Sequence, residues 1–374
     1  MTSTPPIRLA TRGSDLARTQ AGSVQDALER RRRDAELVTV ETTGDRLRDE
    51  LIHRLGKTGA FVRALDEEVL DGSVDAAVHS MKDMPTEQPD DLVVAAVPER
   101  ASANDVLVTP DGRTLEDLPE GATVGTSSLR RGAQLQAERS DLEIEPLRGN
   151  VDTRVEKLLA PSLQAERERR KEAAQAEDAG ETERAAFEDW LANRSALEDR
   201  ALDRPIETEY DAIVLAAAGL ERVGLLDELQ VQHLPRNTFV PAPGQGALAI
   251  TAAAGSDVVD LLRTSLDHRP TRIATTAERI VLAELGGGCV APLGVHATLQ
   301  GAHVRVTVAA YSRDGSESVE MNRDLPAESY ASAARSFARE VADAGAAELI
   351  EEAKRDASVE AAEDAAASAT GEEE

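Results

Sequence analysis

Four turns in this chain carry arginine where a strand pattern gives way to a helix pattern. They are Arg12-Gly13-Ser14, Gly125-Thr126-Ser127-Ser128-Leu129-Arg130-Arg131, Arg148-Gly149-Asn150 with Arg154 one helical turn further on, and Arg222 just after Ala218-Gly219-Leu220. A helix N-terminus presents unbonded backbone N–H groups and partial positive charge. Serine and threonine add hydroxyl donors, and guanidinium forks pair bidentately with carboxylate or phosphate. Any one of these arginines alone reads as a surface charge; the set predicts a site for a specific anion.

Two further segments have the residue types for covalent or proton chemistry. His79-Ser80-Met81-Lys82-Asp83-Met84-Pro85 closes an apolar strand pattern. A carboxylate at Asp83 among cations stays ionised and is able to steady a developing cation or shuttle a proton. By itself Asp83 also fits a helix cap or a partner for Lys82, and His79, inside the apolar run, fits a core histidine. The second segment is Gly286-Gly287-Gly288-Cys289-Val290-Ala291-Pro292, with the only cysteine of the chain. A lone cysteine is usually a small buried hydrophobe, but a glycine loop lets a bulky group approach, which favours a reactive or modified thiol. Other chemistries lack their motifs. No phosphate loop is present, no Cys/His cluster suggests zinc, and no metal site is expected. Gly244-Gln245-Gly246-Ala247-Leu248-Ala249 fits a loose dinucleotide pattern, yet it follows Pro241 and Pro243 rather than a strand.

The elements that must position these residues alternate. Strand patterns at 7–11, 37–42, 76–79 and 92–97 enclose helix patterns at 16–32 and 61–70. A second series has strands at 106–109, 123–125, 144–147 and 212–216 and helices at 129–139 and 151–159. Such alternation predicts α/β layers with mostly parallel sheets: two similar lobes facing a cleft, their turns gathered at the carboxyl edges of the strands. A helix at 271–285, strands at 294–299, 304–311 and 318–325, and a helix at 328–352 form a smaller α+β unit. The Glu/Arg/Ala-rich stretch 161–208 contains the only tryptophan, and Phe187, Trp190 and Leu191 share a helical face. It reads as an inserted surface hairpin without chemistry, or else as a lid or partner-binding element. The acidic stretch 354–374 reads as a solvated or frayed tail.

Composition narrows the function classes. A chain of 374 residues supports two or three domains. Hydrophobic residues are 41% but aromatics only 2%, so the cores must be built from Ala, Val, Leu and Ile. The 70 acidic and 42 basic residues, net −28, argue against nucleic acid and membrane surfaces as partners. They suggest a halophilic surface, since salt screens self-repulsion. One cysteine allows no intrachain disulfide. No signal-peptide pattern opens the chain and no run of about 18 apolar residues occurs, so a cytoplasmic protein is expected.

At these motifs the sequence resembles the hydroxymethylbilane synthase, or porphobilinogen deaminase, family. The matching stretches are 10–14, 79–85, 124–131, 147–154, 211–224, 243–247 and 287–294, in the family's order. The resemblance implies two periplasmic-binding-protein-like lobes around a cleft, crossed twice by the chain. Domain 1 would be 1–100 with 246–265, domain 2 104–240, and a third domain, 269–353, would carry the cysteine. It implies a dipyrromethane cofactor held as a thioether by Cys289 and an essential aspartate at Asp83. Carboxylate-binding arginines fall at Arg12, Arg130, Arg131, Arg148, Arg154 and Arg222, with ligand contacts from Ser14, Lys82, Thr126, Ser127, Ser128 and Gln245. The implied reaction joins four porphobilinogen molecules, with loss of ammonia, into a linear tetrapyrrole. The implied enzyme is a monomer that hands its product to a downstream tetrapyrrole enzyme. The chain departs from the family at the loop that usually reads Gly-Gly-Lys-Gly. Here it is Gly56-Lys57-Thr58-Gly59, leaving Lys57 and Arg54 as alternatives for the lysine contact. The 161–208 insertion and the acidic tail are also atypical. A non-catalytic two-lobed carboxylate binder is the alternative, and it would need neither Cys289 nor Asp83. An arginine-lined phosphotransferase is disfavoured by the missing phosphate loop.

Overall fold

The structure, a computed structural model, describes residues 5–40, 60–176, 179–286 and 291–370. In the first lobe β1 (Ile7–Arg12) leads through the Ser14 turn into α1 (Asp15–Arg30), whose first turn is capped by Ser14 Oγ accepting from the Ala17 N–H at 3.3 Å. Ala21, Val24 and Leu28 recur on one face of α1 and bury against Leu9 and Ile250. A fully buried leucine of this kind contributes roughly 2 kcal/mol. β2 (Ala35–Val40), α2 (Ala60–Leu70), β3 (Ala76–Ser80) and β4 (Leu92–Ala96) follow. The chain then crosses to the second lobe. There β5 (Asp105–Val108), β6 (Thr123–Gly125), α3 (Leu129–Glu138), β7 (Glu143–Glu145), α4 (Val151–Gln175), α5 (Glu181–Ala192), α6 (Ala196–Leu202), β8 (Ala212–Ala216), α7 (Ala217–Arg222) and β9 (Val231–His233) run in order. It returns to the first lobe as β10 (Leu248–Ala253) and α8 (Asp257–Leu266).

The two sheets have one topology. Their strand orders are β2-β1-β3-β10-β4 and β7-β6-β8-β5-β9. In each the first three strands are parallel, and the strand that enters after a crossing, β10 or β5, pairs antiparallel on both sides. The expected mostly parallel sheets are therefore mixed. The physical cause is the double crossing: each return strand comes in from the other lobe and so runs against its neighbours. The two crossings pack backbone on backbone. A Cβ at Gly246 would sit 2.7 Å from the carbonyl oxygens of both Ala101 and Ser102, and its φ of 83° independently demands glycine.

The third unit has α9 (Arg269–Glu284), an antiparallel sheet of β11 (Leu293–Gln300), β12 (His303–Tyr311) and β13 (Ser318–Pro326), then α10 (Tyr330–Val341) and α11 (Ala347–Thr370). Val304, Val306 and Val308 alternate inward on β12 and pack with Phe337. The helix expected over 328–352 is broken by a wide turn at Ala342–Ala346, where Gly345 has φ 110°. The stretch expected to fray after residue 354 continues as α11, with Ala353 and Ala357 buried; its alanine and glutamate content favours helix. No described helix is long and apolar enough to cross a membrane.

Candidate active site

Lobe 1 supplies the floor of the site. β3 is buried along Ala76–His79 and ends in one tight helical turn, Met81–Asp83. The turn is closed by the Met84 N–H donating to Met81 O at 3.2 Å and is tied to the returning chain by Met81 N–H to Ala247 O at 3.0 Å. Met81 and Met84 point inward, which turns Lys82 and Asp83 out to solvent. The Asp83 carboxylate makes no hydrogen bond with other described residues. Gly244, at φ 76°, lies so close beneath that a Cβ there would be 2.6 Å from Met81 Cγ; these glycines serve close packing, not a dinucleotide. Behind the turn His79 is a core histidine, with Nε2 2.9 Å from Asp66 Oδ1 and 3.0 Å from Thr251 Oγ1.

Lobe 2 faces this floor with cations. Asp83 favours the charged form of Lys82. Crowding by protein and the Arg131 and Arg154 charges outweigh it and hold the Lys82 pKa below the usual lysine value. Arg154 is held down to about 10, by desolvation and then by Arg131. Among the described residues its guanidinium makes one hydrogen bond, Nε to Gly149 O at 2.9 Å. Desolvation also lowers Arg222, whose Nη2 donates to Gly246 O at 2.7 Å. Cations so placed gain from a bound anion. A cavity of about 290 Å³ between the lobes is lined by Asp15, Leu16, Thr19, Asn150, Arg200 and Arg222.

Other residues expected at a ligand also have partners within the protein. Asp105, which opens β5, is fully buried. It accepts from Arg130 Nη1 at 2.8 Å, Arg131 Nε at 3.0 Å and Gln245 Nε2 at 3.0 Å, and pairs ionically with Arg131 Nη2 at 2.8 Å. Arg131 Nη1 also donates to Val214 O. Arg130 reaches Gln134, Val240 O and Gln245, and only its buried Nε lacks one among the described residues. Arg130, Arg131 and Gln245, expected at a ligand, thus hold an internal carboxylate. The reason is that the turn aims them back toward β5. Burial would raise the Asp105 pKa, but Arg130 and Arg131 bring it down to about 2. The hydroxyl residues form the turns: Thr126 Oγ1 accepts from the Ser128 N–H, Ser127 Oγ donates to Leu147 O, and Ser128 caps α3 by accepting from the Arg131 N–H. Arg12 closes β1 and Arg148 precedes the Gly149 turn into α4; both are half-buried and partnered.

Cys289 and the 54–59 loop lie outside the described residues. Three further residues join these contacts without a motif to mark them. Asp105 carried a signal, an acid at the head of the run Val106-Leu107-Val108. Arg100 and Glu278 carried none: they join at 2.6 Å across 178 positions.

Two lobes of one topology, with Lys82 and Asp83 exposed on one and Arg154 of the other near enough to act on Lys82, define a two-lobed protein with cations gathered between its lobes. Comparison with known sequences is more specific. The profile described as porphobilinogen deaminase, dipyromethane cofactor binding domain, matches residues 7–166 and 192–260. The profile for the C-terminal domain of porphobilinogen deaminase matches 273–339. A probable porphobilinogen deaminase of Halobacterium salinarum is 55% identical over 95% of this chain and 100% of its own length. The porphobilinogen deaminase of Brevibacillus brevis is 39% identical over 83% of this chain and 86% of its own. The chain belongs to the porphobilinogen deaminase family. Among solved structures, a YaeC-family lipoprotein from Enterococcus faecalis superposes with a TM-score of 0.34 at 15% identity, covering 71% of this chain and 93% of its own.

Proposed function

We propose that this protein is a hydroxymethylbilane synthase, which joins four porphobilinogen molecules into a linear tetrapyrrole with release of ammonia. The observation that carries the reading is the exposed turn of Lys82 and Asp83, whose carboxylate makes no hydrogen bond with other described residues, with Arg131 and Arg154 of the other lobe near enough for their charges to act on Lys82. That donor set fits a dipyrromethane group with its carboxylates. Arg12, Arg148, Arg154, Arg222 and Lys82 would hold these carboxylates, with Ser14 and the Thr126–Ser128 turn beside them and Cys289 forming the thioether. Arg130, Arg131 and Gln245 contribute through their grip on Asp105 and the field of Arg131 at Lys82 and Arg154. When bound, dipyrromethane supplies the free pyrrole carbon to which the first unit is added.

The side chains then have defined tasks. Each porphobilinogen loses its aminomethyl nitrogen as ammonia, the C–N bond breaking toward nitrogen, and its pyrrole becomes cationic. Asp83 stabilises that cation in a partly desolvated cleft. As the new C–C bond forms, Asp83 accepts the proton displaced from the attacked carbon. The arginines hold substrate carboxylates so that the reacting carbons meet in line. A binder without catalysis has no use for an exposed carboxylate at Asp83 among the site's cations.

The test has two arms. Intact mass of the denatured protein is expected to exceed that of the chain by a dipyrromethane, and Cys289→Ala to abolish the excess. Asp83→Asn, loaded with preformed tetrapyrrole to supply the primer, is expected to lose about 10²–10⁴-fold in single-turnover addition. Active protein of unmodified mass, or Asp83→Asn at the wild-type rate, contradicts the reading.

A further inference from the structure

Asp83 ends a single three-residue turn, Met81–Asp83; the Met84 N–H closes it on Met81 O at 3.2 Å, and the link from Met81 to Ala247 holds its first residue. The other end is held from a different domain. Arg279, on α9, donates from Nη1 to Met84 O at 3.1 Å and from Nη2 to Pro85 O at 2.6 Å. Its guanidinium is desolvated, which lowers its pKa, and no carboxylate among the described residues pairs with it. If α9 needed only to pack here, an apolar side chain would do so without the cost of desolvating a charge. A planar fork spanning two successive carbonyls fixes the direction in which the chain leaves Asp83, which a single ammonium cannot do.

We infer that Arg279 is a positioning residue for Asp83, an inference that rests on the role proposed for Asp83 above. It holds the Met84 and Pro85 carbonyls so that the carboxylate one residue earlier faces the cleft. α9 provides its own control. Arg272 donates from Nη1 to Val94 O at 3.2 Å and from Nη2 to Ala95 O at 3.0 Å. These are the same kind of contacts to the same lobe, made at β4 rather than at the turn.

The experiment compares Arg279→Gln, Arg279→Lys and Arg272→Gln in cofactor-loaded enzyme, with steady-state kinetics and amide hydrogen exchange over 81–85. Arg279→Gln is expected to lower kcat about tenfold or more with KM within about threefold, since a small misplacement at the reacting centre costs about 10²-fold. Exchange over 81–85 is expected to rise with it. Arg279→Lys recovers part of both, and Arg272→Gln changes neither kcat nor exchange at the turn. Should Arg279→Gln fail to fold, Arg279→Lys is compared with wild type and is expected to fall short in kcat. Wild-type kcat and exchange in the Arg279 variants, or an equal loss of kcat in Arg272→Gln, overturns the inference. Asp83→Asn at the wild-type rate would sink the reading of the site and this inference with it. A dead Asp83→Asn beside a fully active Arg279→Gln sinks this inference alone.

Discussion

Asp105 keeps its charge inside lobe 2 because three side chains donate to it. Its pKa of about 2 in the folded protein lies below the ordinary value of 3.8. The resulting stability is fully present above about pH 4 and is lost as the pH falls toward 2. It amounts to roughly 2 kcal/mol. Asp105→Asn should therefore flatten the pH dependence of denaturant unfolding across that window. Arg130→Leu leaves the carboxylate buried with a partner removed, which typically costs about 3–5 kcal/mol. A lowered urea midpoint for Arg130→Leu is the expected result. An unchanged midpoint with impaired turnover would return Arg130 to a direct ligand role.

At the scale of elements, the inserted segment divides into two parts. α5 buries no residue, and its Trp190 lies with Phe187 at 6.4 Å between the guanidiniums of Arg170 and Arg194, 5.6 and 4.8 Å from the ring centre. α6 by contrast buries Leu197, Ala201 and Leu202. Arg200 and Arg204 both pair with Glu156, which is 3% exposed on α4. The insertion expected over 161–208 as a dispensable surface hairpin is thus partly lobe core. α4 also runs on through Pro161, past the expected end at 159; packing against α6 offsets the backbone hydrogen bond that proline removes. Replacing 167–191, the interval between the two family matches, with a short Gly-Ser linker should leave folding intact and turnover within a few fold. Replacing 162–207 should lower the melting temperature sharply, because it strands Glu156. Equal melting temperatures for the two deletions would refute this division.

For the whole molecule two features compete. Glu278, fully buried, accepts from Arg100 Nη1 at 2.6 Å, the Gly244 N–H at 2.7 Å and the Ala297 N–H at 2.7 Å. It joins both interlobe crossings to the third unit. Against this cohesion acts the self-repulsion of a net charge of −28. Screening lengths fall from about 10 Å at 0.1 M salt to about 3 Å at 1 M. The melting temperature is therefore expected to rise with potassium chloride across a circular-dichroism series. A melting temperature independent of salt would show that the internal ion pairs dominate.

Local pattern was enough to read much of this protein. Periodicity located strands at 7–11, 123–125 and 212–216, helices at 16–32 and 129–139 close to where they lie, and the third unit. The residue types of the Asp83 turn marked a site, and matched motifs pointed to the family. Each of these depends on contacts within about ten positions, where spacing determines which side chains share a face. The antiparallel return strands, the capture of Arg130 and Arg131 by Asp105, the pairing of Glu278 with Arg100 and the hold of Arg279 on Met84 and Pro85 were not legible. They link residues 25 to 195 positions apart. Which buried charge meets which cation depends on how finished elements stack. Burial then removes the water that would otherwise let either partner stand alone, so only the tertiary structure could decide which arginines pair with which buried carboxylates.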